Sequence, residues 1–163
     1  MDRSLLMVIV LCFLFVLLAL MVLGWNNRQQ RQSDIAKPAL PPTDRGAVVG
    51  AFRGMYVSTT TSGDPLDRIA VHGLAFRGNV DIVVSERGVL LGIPGVDEIW
   101  IPAEDLIELR RATWTIDRVV ENDGLHVIEW KLGDRAVETY LRMHTPTEFD
   151  HALQRLMAMK GRQ

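Results

Sequence analysis

Cysteine is all but missing from this chain. Cys12 is the only one in 163 residues, and it lies inside an apolar run. A disulfide framework and a thiolate metal site within one chain are thereby excluded. Dense basic clusters are missing too. Residues 38–163 carry 14 Lys and Arg against 18 Asp and Glu, net −4. Nucleic-acid binding is driven by phosphate neutralisation, so this balance excludes it as a main role. None of the four histidines (His72, His126, His144, His151) has a carboxylate or a second histidine at metal-ligand spacing, although His144 and His151 fall seven apart. Neither H-E-x-x-H nor G-x-x-x-x-G-K-[ST] occurs, and the glycines at 46, 50, 54 and at 88, 92, 95 open no phosphate-cradling turn. Glu104, Asp105 and Glu108 read as a solvated bend, since nothing near them supplies a raised pKa or an oxygen-rich calcium loop. The hydroxyls of Ser58, Thr59, Thr60, Thr61 and Ser62 are explained by β-propensity. No catalytic residue, metal or cofactor is expected, and the chain reads as a non-enzyme.

What the chain has instead is a 19-residue stretch without a charge, amide, proline or glycine, at residues 5–23. At about 1.5 Å per residue it covers roughly 28 Å, close to a hydrocarbon core of about 30 Å. It is apolar all round, as lipid requires. Trp25 follows where an interfacial aromatic belongs, and Arg28 and Arg31 mark the headgroup side. The rival reading, a cleaved signal peptide, fits less well, because the run is long and no A-x-A site follows it. Expected segments are a flank at 1–4, a transmembrane helix at 5–23, a polar and proline-rich tether at 24–47, and a folded domain at 48–163. Arg28, Arg31 and Lys37 outnumber Arg3, so the positive-inside rule predicts a single-pass protein of the cell membrane with its C-terminal domain in the cytoplasm. The few basic residues of the tether fall short of a lipid-recognition cluster.

From about Val48 the pattern is short β-type runs between turn signals. Strands are expected over 52–61, 80–85, 89–93, 98–101, 106–112, 113–120, 125–132 and 135–143, with an irregular connection over 67–78. Asn122-Asp123-Gly124 and Gly133-Asp134 read as turns. Thr145-Pro146-Thr147-Glu148 suggests a capping box opening a helix over 146–160, whose apolar residues Phe149, Ala152, Leu153, Leu156 and Met157 share one face. Trp114 and Trp130 are expected in the core or at its rim. The fold class is mainly β (α+β): one N-terminal span, then about seven antiparallel strands closed by a C-terminal amphipathic helix.

Strands first and a capping helix last resemble the pleckstrin-homology-like (PH-like) superfold. The strings Gly54-Met55-Tyr56-Val57-Ser58-Thr59-Thr60, Asp67-Arg68, His72-Gly73-Leu74-Ala75-Phe76-Arg77-Gly78, Ile101-Pro102-Ala103 and Trp130-Lys131-Leu132-Gly133 also look like a family of small actinobacterial membrane proteins with one N-terminal span and a PH-like domain. The resemblance covers about residues 48–160. The anchor, the tether and the missing catalytic set together point to a binding or scaffolding module that recruits a protein partner at the cytoplasmic membrane face. The alternative is an accessory subunit of a membrane transport or envelope complex, since one span cannot itself form a translocation path. Lipid-binding PH domains use a basic patch on the loop joining their first two strands. The matching stretch here, 62–78, dilutes Arg68, His72 and Arg77 with Asp64 and Asp67, which points away from specific headgroup binding. Arg68, His72, Arg77 and the pair Arg110-Arg111 are the candidate contacts for an anionic or protein partner. Internal pairing of the arginines with Asp64, Asp67 or Glu108 is the plainer alternative.

Overall fold

A computed structural model describes residues 3–112, 114–115, 118–119 and 124–161, with backbone only for the two short pieces between 112 and 124. The chain separates into two compact units, one ending at Asp34 and one beginning at Ile35.

The first unit is the helix α1 (Arg3–Arg31). Its most apolar window has a mean hydropathy of 3.4, and none of that window is buried within the protein. By length and composition α1 can cross a membrane, and a signal sequence meets the same two criteria. The helix does not stop at Leu23. It runs on through Trp25 and ends with Arg28 and Arg31 in its last turn, where cations complement the helix dipole.

The second unit is built on β1 (Val48–Thr61), a 14-residue strand. Its first part pairs with β3 (Gly78–Ser85) along one edge, from Val48 to Tyr56. Its second part pairs with β10 (Arg135–Met143) along the other, from Gly54 to Thr61. A bulge between Tyr56 and Ser58 interrupts the β10 register where the two pairings overlap. Bulges bend a strand and increase its twist, so one strand can serve both halves of the sheet. From β3 the sheet continues to β4 (Gly88–Gly92) and β5 (Ile99–Pro102). From β10 it continues to β9 (Leu125–Leu132) and β6 (Leu106–Ala112). The order is β5-β4-β3-β1-β10-β9-β6, with β2 (Asp64–Arg68) added to the end of β1. A 3-10 turn at Ala103–Asp105 joins β5 to β6.

The segment 67–78 is thus a short strand followed by turns. The segment 113–120 does not form one strand of the main sheet. Its described residues form β7 (Trp114–Thr115) and β8 (Arg118–Val119), paired with each other. The expected placing of the Trp114 side chain and the turn at Asn122-Asp123 lie outside the described residues.

Alternation along the strands puts two apolar clusters on opposite faces of the sheet. The main one includes Tyr56, Ile82, Ile128, Trp130 and Leu141, and takes in Phe149, Leu153 and Leu156 of the C-terminal helix α2 (Pro146–Lys160). Trp130 is 1% exposed and gives its indole N–H to Thr139 Oγ1 at 2.9 Å. Val57, Leu125, Val127 and Tyr140 make the second cluster. The capping box does not form. Thr145 sits at the N-cap without a side-chain bond, and Pro146 opens the helix at its first position. The burial of Phe149 one turn in, together with the proline's preset φ, suffices to fix the helix start.

The end of the expected spacer over 24–47 is not free chain. Ile35 is 3% exposed and belongs to the main core. Its carbonyl lies 2.8 Å from His72 Nε2. Lys37 bonds Asp97, Ala39 bridges to Trp100 of β5, and Asp44 pairs with Arg87 at 2.9 Å. Gly133, in the β9–β10 turn, has φ +66 and stands where a Cβ would come within 2.6 Å of Ala36, so that turn takes glycine for two reasons. Proline keeps the segment extended, and apolar Ile35 gives it something to bury.

Candidate functional site

The five candidate contact residues fall in two places. Arg68, His72 and Arg77 lie on the excursion between β1 and β3, whereas Arg110 and Arg111 are consecutive in β6. The excursion is held largely by internal bonds. Arg68 Nη2 donates to the Val57 carbonyl at 2.9 Å. His72 adopts a positive φ of 56° and is tied to Ile35. Arg77 is exposed, and its Nε lies 2.9 Å from the Met55 sulfur. Leu66 is 73% exposed and Phe76 is 68% exposed on the same excursion. Beneath it the Tyr56 hydroxyl lies 2.9 Å from the Leu74 carbonyl and 2.8 Å from Thr59 Oγ1, and burial pushes the phenol's pKa well up.

Consecutive strand residues point to opposite faces, so Arg110 and Arg111 enter separate clusters. On one face Arg110 pairs with Glu138 of β10, whose side chain is 4% exposed. The Glu138 carboxylate also accepts the Tyr140 hydroxyl at 2.6 Å, the Gly63 N–H at 3.2 Å and the Ser62 hydroxyl at 3.4 Å. Ser62 reaches Glu129 as well, at 2.6 Å. Burial alone raises a carboxylate pKa, but donation from Tyr140 and Gly63 and the charge of Arg110 outweigh it, so Glu138 sits below its usual range. Burial and the neighbouring carboxylate push the Tyr140 phenol up to about 12.

On the other face Arg111 meets His126 of β9 and Asp150 of α2. Arg111 Nη1 lies 3.4 Å from Asp150 Oδ2 and beside His126 Nε2, which is itself 3.0 Å from Asp150 Oδ1 and 3.3 Å from the Pro146 carbonyl. A neutral ring with its proton on Nε2 donates to Asp150 or Pro146; with the proton on Nδ1 it accepts from Arg111. Burial first, then the charge of Arg111, lower the His126 pKa, while Asp150 opposes them. A cleft of about 170 Å³ opens here between β6 and α2.

A depressed histidine pKa means the unfolded chain binds the proton more readily. Stability contributed by His126 is therefore present above the unfolded value of about 6.5 and is lost as pH falls below it through the folded value. Thermal unfolding between pH 7.5 and 5 should show a falling Tm, and His126→Gln should flatten that slope. Parallel slopes for the two proteins would rule out His126 as the source.

The arginine partners are not those nearest in sequence. Asp64, Asp67 and Glu108 hold neither Arg110 nor Arg111; Glu138 and Asp150 do. Asp67 instead accepts from Thr61 at 2.6 Å. Glu104 offers its backbone carbonyl to Lys160 at 3.1 Å. Among the described residues no group of three or more His, Cys, Asp or Glu is placed to hold a metal ion. Glu138, Tyr140 and Asp150 carried no separate signal in the sequence. Each reads as an ordinary strand or helix residue until the pairing brings it to an arginine.

A family model described as Bacterial PH domain-like matches residues 35–157. Among curated proteins none matches the chain. PH-like domains are in general non-catalytic modules that bind proteins or lipids, and no enzyme family is indicated. A bent β1 shared by two halves of one antiparallel sheet, a helix closing it at the C-terminal end, and a match that spans both place this chain in the bacterial PH domain-like family.

Proposed function

We propose that this protein is a non-catalytic, membrane-anchored module that recruits a protein partner, with α1 in the bilayer and the PH-like domain on the cytoplasmic side. The observation that carries the reading is the exposure of Leu66 (73%) and Phe76 (68%) on the excursion between β1 and β3. Contiguous exposed apolar surface marks a contact site, and in this reading Leu66 and Phe76 form one. Arg77, next to Phe76 in the chain, is exposed and among the described residues has only a thioether contact, so in this reading its charge is available to a partner carboxylate. Arg68 and His72 act in this reading as supports for the loop. The orientation is supported by Arg28 and Arg31 in the last turn of α1.

Leu66→Ser with Phe76→Ser in the full chain should leave Tm and membrane residence unchanged and reduce a cross-linked, co-purified partner about tenfold, a loss of roughly 1.4 kcal/mol of affinity. Equal recovery from the variant and the parent would sink the proposed surface. An impermeant thiol label on a cysteine added at the C-terminus, with Cys12 replaced by serine, should react only after cells are broken. Labelling of intact cells would overturn the cytoplasmic placement.

A further inference from the structure

Each end of the main sheet order has a free side, and the two are treated differently. At β5, Ala39 bridges to Trp100, with the Trp100 N–H 3.3 Å from the Ala39 carbonyl. At β6, no strand pairs the outer edge among the described residues. Ile107, Glu108 and Arg110 are exposed along it. An open edge of this kind is a template for another strand, and proteins usually guard it with charged side chains, proline, a bulge or cover. β6 has no proline; its bulge lies at one end, between Leu106 and Glu108, and the charges along the rest of the edge, Glu108 and Arg110, are of opposite sign.

We propose that β6 pairs antiparallel with β6 of a second copy of this chain, across a two-fold axis at Leu109. The charges select this arrangement. Antiparallel pairing centred on Leu109 sets Glu108 opposite the partner's Arg110 and, by symmetry, Arg110 opposite the partner's Glu108. Opposite charges directly across a ladder attract, while a parallel pairing would bring like charges together. Glu108 has no ion pair of its own among the described residues. Arg110 holds Glu138, yet its side chain remains 38% exposed, and a guanidinium has donors to spare. Arg111 is turned to the other face, toward Asp150, and so does not repel its counterpart across the outer face. A two-fold pairing consumes both free edges and closes on itself, giving a dimer and not a filament. This surface is separate from the Leu66 and Phe76 excursion and goes beyond the partner-recruiting role.

The test uses the full chain in membranes, in a Cys12→Ser background. Residues facing each other on an antiparallel pair have Cα atoms about 4.5–5.5 Å apart, within reach of a disulfide. Leu109→Cys, half-buried at the pairing centre, should therefore cross-link to itself on mild oxidation, whereas the more exposed Leu66→Cys, which lies elsewhere, should not. Adding Glu108→Arg turns two attractive pairs into two repulsive ones and should cut the cross-link about tenfold. Because Leu109 also packs on the core, a cysteine-free comparison stands beside it: the parent should run at twice the chain mass in detergent and Glu108→Arg as a monomer. Monomeric parent protein, equal cross-linking at Leu66→Cys and Leu109→Cys, or indifference to Glu108→Arg would each overturn the pairing. Loss of dimer with Leu66→Ser and Phe76→Ser would overturn the separation of the two surfaces.

Discussion

Replacing Glu138 with alanine is expected to destabilise the domain by about 3–5 kcal/mol, the usual effect of removing one partner from a buried ion pair. The reason lies in the donors it satisfies. The Tyr140 hydroxyl, the Gly63 N–H and the Arg110 guanidinium all point at this one carboxylate. Alanine leaves the buried Tyr140 hydroxyl without this acceptor, whereas the N–H of the exposed Gly63 can turn to water. Arg110 is the partner that water can partly reclaim, since 38% of its side chain is exposed, which sets the effect toward the lower end. Glu138→Gln keeps the shape and one acceptor and should cost about half as much. The readout is the urea midpoint at pH 7 with an unchanged slope. The pH dependence has a definite sign. A carboxylate whose folded pKa is depressed stabilises above its unfolded value of about 4.3, and that contribution disappears as pH falls through the folded value. Parent and Glu138→Ala should therefore converge in acid. A variant within about 1 kcal/mol of the parent at pH 7 would mean the cluster is not a stabilising unit.

Phe149→Ala should have an effect of similar size, about 3–5 kcal/mol for a large aromatic lost from a core. Phe149 is fully buried in the first turn of α2. Its ring meets Phe52 edge-on at 5.3 Å and 71°, and His126 at 5.0 Å and 77°. Edge-to-face contacts of this type add to the area term. Thr145 supplies no side-chain cap, so the helix start depends on this ring and on Pro146 more than on local hydrogen bonds. The expected result is a lowered unfolding midpoint together with earlier proteolysis inside 146–160. Phe149→Leu, which keeps most of the volume, should cost less than about 1.5 kcal/mol. If alanine shifted the midpoint no more than leucine, the anchoring role would fail.

Local patterns made most of this fold legible. The alternation over 80–85, 125–132 and 135–143, and the Gly133-Asp134 turn between the last two, gave strands where they stand. So did the 3–4 residue spacing of Phe149, Ala152, Leu153 and Leu156 for α2. What sequence did not give depends on contacts far apart along the chain. Val48 and Val49 extend β1 because β3 pairs there, and nothing local marks the bend near Tyr56. The helix α1 continues to Arg31 although Gly24, Asn26 and Asn27 are weak helix formers, because no proline interrupts it and Arg28, Gln29, Gln30 and Arg31 favour helix. Arg110 and Arg111 read as contact residues in the sequence, but their carboxylates arrive from β10 and α2 only after the pairing of β6, β9 and β10 and the packing of α2 are set. A carboxylate two residues away is easier to see in sequence than one brought in by register.

Ile35 bears on where this chain can be divided. A fragment started at Val48, where the β pattern begins, would lack the side chain that fills the core beside the 69–75 turns and the carbonyl that meets His72. It would also uncover the outer side of Trp100. A fragment started after Asp34 keeps all three. The smallest self-sufficient piece of this protein therefore includes part of what looks, by its prolines, like a linker, and insertions meant to lengthen the leash belong before residue 35.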